Sequence, residues 1–405
     1  MLYPMSWYLY FLAGLLGVYW GVCRNATHKK LLLIVSSVAL LASLQPWFTA
    51  GLLIWTAVVY LAANYLLSSE SSKRLRLLVV VMLALLGYLS FFKYLPGLLE
   101  VLLSETTSTG AMNWLESNVV LPIGVSYFTF KFLHYLTNAY RRTLVAHAPI
   151  DFVLYTVFFP IVPAGPIERI ENFVANKDLK WSSEHVSTGT LRLIFGAAKK
   201  LVLVDLLLAT VVTGPVYDDL MGQRFDHVSV PLVWMFLVCS FLYAYLDFSA
   251  YTDLAVGTAR LFGFKICENF NYPIFKPNLS AFWKSWHMSL SSWCRDYIYI
   301  PVLAKTRMPK LALYASMMTI GAWHFVNFNW LVWGALHATG LIALLYWQQF
   351  RKRRLKFLKQ CEWGVYGVGN VITMAYVSWV FAFVCLPSPV VSTQTFLFAI
   401  TGWTW

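Results

Sequence analysis

Residues 311–350 read LALYASMMTIGAWHFVNFNWLVWGALHATGLIALLYWQQF, a stretch without Lys, Arg, Asp or Glu. It is about twice the ~20 apolar residues that one helix needs to cross a bilayer, so it predicts a pair of spanning helices. His324 lies well inside it. A polar imidazole in hydrocarbon is expensive, and it must find a partner or face a cavity. Upstream, FWKSWHMSLSSWCRDYIYIP at residues 282–301 is too polar to span and too aromatic for an ordinary loop. It carries a second histidine, His287. The two features together point to chemistry carried out inside a membrane.

The composition agrees. Hydrophobic residues make up 59% of the 405, charged residues 12%, and the mean hydropathy is +0.62. A soluble chain is nearer one quarter charged. The 18 Trp and 23 Tyr suit membrane–water interfaces. No basic leader or small-residue cleavage site precedes the first apolar run, so residues 5–22 are expected to be a retained helix. The net charge of +13 raises nucleic acid as a partner, but the basic residues cluster between apolar runs, as at Arg24/Lys29/Lys30, Lys73/Arg74/Arg76, Arg141/Arg142 and 351–359. That is the positive-inside pattern, and no nucleic-acid partner is expected. The six cysteines are scattered without CxxC, which argues against a disulfide framework or a zinc site.

Candidate spans are 5–22, 31–44, 48–67, 77–95, 119–140, 191–212, 230–248, the pair within 311–350, 363–386 and a last segment at 391–405. The fold class is all-α, with about ten or eleven membrane helices in one domain over 1–405: N-terminal helices to 118, a core over 119–340 and C-terminal helices from 341. Placing Arg24–Lys30 in the cytoplasm puts the acidic loop 97–118, with Glu100, Glu105 and Glu116, outside. Residues 151–165 are apolar but broken by Pro160 and Pro163, as in a re-entrant piece whose backbone must be buried in protein or face water. Gln45-Pro46 reads as a kink or a turn.

Read as one helix with Ser280 at its N-cap, residues 280–299 align Phe282, Trp286, Leu290, Trp293 and Tyr297 in an apolar-aromatic stripe. His287 and Ser291 then share one edge, and Arg295 and Asp296 lie on a polar face. Taken alone, the stripe favours plain packing with a hydrogen-bonded His287.

The whole string WHMSLSSWCRDYIYIP resembles the signature of the membrane-bound O-acyltransferase (MBOAT) superfamily, in the bacterial branch of DltB-type D-alanyl transfer proteins and alginate O-acetyltransferases. Blocks in order agree: LPIGVSYFTFKFLHYL (121–136), FFPIVPAGPIERI (158–170), YLDFSAYTDLAVGTARLFGF (245–264), ENFNYPIF (268–275) and GAWHFVNFNWLVWGALHA (321–338). The resemblance implies a ring of helices around a thinned centre with a central tunnel, with interfacial and re-entrant helices. It places His324 at the family's catalytic histidine and His287 at its second functional histidine. It implies transfer of an acyl group from a cytoplasmic thioester, on carrier-protein phosphopantetheine or acetyl-CoA, toward an extracytoplasmic polymer or partner acyltransferase, in the bacterial cytoplasmic membrane. Phe325 stands where the family usually has Gly. SYFTF and WHMSLS lean to the D-alanyl type, LPIG, ENFNYP and RDYIYIP to the alginate type.

An alcohol is a poor nucleophile at neutral pH, so a base must take its proton as attack develops, and histidine suits this. His324 is assigned as that base. His287 orients substrate or stabilises the oxyanion. Ser291, Arg295, Asp296, Asn327 and Asp247 are candidate substrate or donor contacts, with a structural ion pair favoured for Arg295 and Asp296. Asp253 and Arg260, seven apart, suggest another ion pair. His134 and His337 are expected to be packing histidines. No carboxylate sits at ligand spacing near His287, His324 and His337, so no metal is expected, nor a tightly bound cofactor. A transporter, marked by intramembrane charges but lacking detectable inverted repeats, and a non-catalytic envelope-complex subunit are the competing readings.

Overall fold

The structure, a computed structural model, describes residues 5–98, 121–355 and 362–403. The expected acidic loop, Lys356, Lys359 and Cys361 fall outside these residues, apart from positions 97 and 98. The described residues are helical without a strand, and their one β-pairing is a bridge between Lys177 and Phe264. Among the described residues, six helices are long and apolar enough to cross a membrane: Ala26–Leu44, Pro46–Ser68, Lys73–Lys93, Val230–Leu261, Phe328–Arg354 and Trp363–Cys385. The other apolar helices, such as Met5–Gly21, Pro309–His324 and Pro389–Thr401, are shorter. The chain divides into two compact units, Met1–Ile194 with Asp253–Cys267, and Phe195–Thr252 with Glu268–Trp405.

In the first unit, Asn25 caps Ala26–Leu44 by accepting from His28 N at 2.7 Å. Pro46 occupies the first turn of the next helix, where its missing N–H costs nothing. Gln45-Pro46 is therefore a turn. Residues 158–165 follow the short helix Pro149–Val157 as buried non-helical chain. Their backbone finds protein partners, Phe159 N donating to Ser37 Oγ at 3.2 Å and Gly165 N to Ile161 O at 3.0 Å. That is the condition for irregular chain at membrane depth.

The Asp253–Arg260 pair does not form. Two helical turns separate them by about 10 Å, and each finds a nearer partner on Ser183–Ala198. Arg192 bonds Asp253, and Arg260 meets Glu184 at 3.2 Å. The two helices touch where glycines face each other: a Cβ on Gly189 would stand 2.9 Å from Gly257 O.

In the second unit, Val230–Leu261 extends well past the expected end at 248, with its residues to Thr252 in this unit. Val233, Phe236 and Leu237 pack with Ala382, Leu386 and Phe398 in a core. Pro309–His324 and Phe328–Arg354 form a tight hairpin. A Cβ on Gly321 would lie 2.4 Å from Trp330 O, and one on Gly334 2.8 Å from Met317 O. Only glycine permits backbones this close.

The single helix expected over 280–299 is absent. Leu279–Trp283 and Met288–Cys294 are separate helices, and the chain then winds wider over Arg295–Tyr299 before Ile300–Thr306. The N-cap is Asn278, accepting from Ala281 N at 2.9 Å, and not Ser280. The break falls at His287, so the aromatic stripe is not continuous.

Candidate active site

His324 ends the Pro309–His324 helix at the tip of the hairpin. The apolar run is long enough for two helices, so its midpoint becomes a turn and not mid-span. Phe325 N donates to Gly321 O at 3.1 Å, closing the helix. Asn327 then caps the next helix, its Oδ1 accepting from Trp330 N at 3.1 Å. The cap sets Trp330 beneath His324: their rings stack at 4.1 Å and 13°. Trp323 and Trp333 stand edge-on to His324 at 4.7 and 5.9 Å. The imidazole is half-buried, and the following Phe325 and Val326 are 50% and 60% exposed.

His287 occupies the break between two helices in a left-handed conformation, φ 41° and ψ 53°. A side chain there costs roughly 1–2 kcal/mol. Tertiary contacts hold it. Met288 N donates to Asn269 O at 2.8 Å, and Ser289 Oγ to Asn269 Oδ1 at 2.6 Å. Asn269 Nδ2 in turn reaches Thr252 Oγ1 at 3.3 Å. The His287 ring meets Phe248 edge-on at 4.8 Å and Trp323 at 5.8 Å. Burial pushes its pKa down to about 3. The ring is neutral at pH 7, with one nitrogen carrying hydrogen and the other able to accept. Trp323 therefore touches both histidines and brings them into one aromatic-walled cluster.

The other candidates divide. Ser291 Oγ donates to Trp286 O at 3.1 Å, and its N–H to His287 O at 2.9 Å, so it shapes the His287 turn. Asn327 is a helix cap, as described. Arg295 and Asp296 pair at 2.8 Å, with the arginine side chain 63% exposed. Asp247 accepts from Lys200 at 2.8 Å, and Lys200 also meets Asp205 at 2.9 Å. His337 is buried and accepts from Trp283 Nε1 at 3.3 Å, a packing histidine as expected.

Sequence reasoning missed Asn269, Phe248, Trp323 and Trp330. Asn269 stood in view, a polar residue inside the ENFNYP block. Trp330 and Trp333 are one helical turn apart, a spacing that predicts a shared face; nothing local announced that His324 would lie on it.

A helix-only fold with several membrane-length spans defines a multi-pass membrane protein. The family model described as MBOAT, membrane-bound O-acyltransferase family, matches residues 5–386. The chain belongs to that family. It is 30% identical over 344 residues to a probable alginate O-acetylase, AlgI, of Pseudomonas aeruginosa, covering 82% of this chain and 63% of that protein. A peptidoglycan O-acetyltransferase of Helicobacter pylori is 25% identical over 92% of this chain and 75% of its own length. A teichoic acid D-alanyltransferase of Bacillus subtilis is 27% identical over 61% and 64%. The chain thus spans less than two thirds of the first and third of these relatives.

Proposed function

We propose that the protein is an acyltransferase of the bacterial cytoplasmic membrane, passing an acyl group from a cytoplasmic thioester toward a hydroxyl of a cell-envelope polymer or a partner protein. The observation that carries this reading is His324, half-buried on Trp330 at the hairpin tip and sharing Trp323 with a neutral His287. Sixteen residues of helix from Pro309 to His324 extend about 24 Å at 1.5 Å each, short of a ~30 Å hydrocarbon core. With Arg307 and Lys310 at one interface, the imidazole stays at membrane depth, where a donor and an acceptor can meet from opposite sides.

In the proposed step His324 accepts the hydroxyl proton as the oxygen attacks the thioester carbonyl. The C–O bond forms, and the tetrahedral oxyanion is stabilised by a hydrogen bond from neutral His287. The C–S bond then breaks, and the thiolate leaves with the proton held by His324. The donor is a carrier-protein phosphopantetheine thioester or acetyl-CoA. Acetyl transfer to a polysaccharide is favoured, since the relatives named as alginate O-acetylases are 30–31% identical to this chain and those named as teichoic acid D-alanyltransferases 25–27%. D-alanyl transfer to a teichoic-acid-like polymer is the second reading.

The test is reconstitution in proteoliposomes with labelled acetyl-CoA or D-alanyl carrier protein inside and acceptor oligosaccharide outside. Labelled ester on the acceptor, lost in His324→Ala at unchanged folding, supports the proposal. Transport of acceptor without ester formation, or full transfer by His324→Ala, overturns it.

A further inference from the structure

Away from the histidines, the second unit holds a groove between the helices Phe328–Arg354 and Glu362–Val380, with a cavity volume of about 1060 Å³. Its walls are mainly apolar, including Ala343, Leu344 and Ile372, and Arg351 and Lys352 stand among its lining. The third side is the chain at Pro277–Leu279. That side is pinned in place. Asn370 Nδ2 donates to Ile274 O at 2.8 Å and Lys276 O at 3.1 Å, and Tyr366 OH bonds Phe275 O. Tyr376 OH donates to Leu336 O at 2.6 Å and would stand 2.7 Å from a Cβ on Gly340. The groove is thus built by specific contacts and is not a gap between loosely packed helices.

Both helices that wall it meet the length and hydropathy of membrane spans, so its apolar part lies where lipid chains lie. Trp347 and Phe350, half exposed, mark the aromatic interface level. Directly after Phe350 begins the run Arg351, Lys352, Arg353, Arg354. Among the described residues Arg351 and Lys352 pair with no carboxylate. An apolar slot capped by uncompensated cations at the basic membrane face complements one kind of molecule: an anionic head on a long hydrocarbon chain.

We propose that this groove is a binding site for an anionic phospholipid, its phosphate at Arg351 and Lys352 and one acyl chain along Ala343, Leu344 and Ile372. A free phosphate would leave the apolar walls unused, and a zwitterionic lipid would leave the paired cations uncompensated. The site is independent of acyl transfer and does not rest on the histidine chemistry.

Native mass spectrometry of the full chain purified from membranes tests it, with dioleoyl phosphatidylglycerol as the added probe. Wild type retains the lipid through delipidating detergent. Arg351→Gln with Lys352→Gln retains at least tenfold less, and Ala343→Trp, which fills the slot and leaves the cations, also loses it. In thermal unfolding phosphatidylglycerol at a hundredfold excess over its dissociation constant raises the midpoint of wild type by on the order of 3–5 °C. Dioleoyl phosphatidylcholine does so less, and inorganic phosphate not at all. Equal retention by wild type and both variants overturns the proposal. So does an equal shift with phosphatidylcholine, or with phosphate alone, which would make it an anion site only.

Discussion

His134 and His324 are both imidazoles on helices of an apolar protein, and their surroundings are opposite in kind. His134, in the first unit, bonds Glu171 at 2.8 Å, and Asn138 Nδ2 bonds the other carboxylate oxygen at 2.7 Å. Burial alone would raise Glu171, but His134 and Asn138 bring its pKa down to about 2. The same unit holds Asp151, 4% exposed, between Lys30 at 2.8 Å and Lys177 at 2.7 Å. Buried Glu168 is ringed by Arg169 N, Asn172 and Cys267 N at 2.6–2.9 Å. These groups are held by opposite charges and donors. In the second unit His287 and His324 are walled by rings: Phe248, Trp323, Trp330 and Trp333. Glu171 and Asn138 tie His134 into a polar network between two helices. Around His287 and His324 the contacts described are of ring against ring. The proposed base, His324, is of the ring-walled kind, and His134 of the ion-paired kind.

The largest effect expected from this contrast is on transfer. His324→Ala lowers the rate of acyl transfer by roughly 10²–10⁴, and His134→Gln leaves it within threefold, as measured on reconstituted protein normalised to folded fraction. Comparable losses in both would erase the distinction. Next is stability. Asp151→Asn leaves two half-buried lysines without the buried carboxylate between them, and removal of one partner from such an ion cluster costs up to about 3 kcal/mol. Denaturant unfolding in detergent should show this loss, while transfer per folded molecule is unchanged.

Gly321→Ala sets a methyl against Trp330 O and pries the hairpin apart at its tip. Overpacking of this kind costs about 1–3 kcal/mol, and here transfer should fall with stability, because Trp330 carries His324. A stable but inactive Gly321→Ala would sharpen the link; a destabilised, fully active one would break it.

The pH dependence separates the two regions again. His287 has a folded pKa of about 3, below its ordinary 6.5. Between these values the unfolded chain binds a proton that the folded chain refuses, so this contribution is complete above pH 6.5 and lost as pH falls toward 3. Glu171 acts lower, its stabilisation lost as pH falls from 4.5 toward 2. His287→Asn should flatten the stability profile between pH 6.5 and 3, most cleanly above 4.5 where Glu171 does not contribute, and an unchanged slope there would refute the assignment. The smallest effect is Arg295→Ala. In its pair with Asp296 the guanidinium side is 63% exposed, and a pair open to solvent contributes about 0–1 kcal/mol. A marked loss of donor affinity in that variant would show that Arg295 meets the donor directly.

Much of this was legible beforehand, because the relevant information is local. A charge-free run longer than a bilayer is wide must turn within itself, and residues 311–350 do so. Basic clusters mark span ends, and a Pro after Gln45 starts a helix as readily as it bends one. Asp253 and Arg260 misled because their spacing fits one helix face, while their partners, Arg192 and Glu184, lie on another helix brought near by two glycines. Residues 280–299 misled because a regular stripe of aromatics says nothing of the left-handed turn at His287, which Asn269 stabilises from outside it.

The amino-acid order alone therefore determined that this is an all-helical membrane protein, which family its blocks resemble and which two histidines to propose for its site, since run length, charge placement and motif are properties of neighbouring residues. Only the tertiary structure decided what surrounds those histidines, which charges pair and where a groove opens, because each depends on contacts between segments tens to hundreds of residues apart.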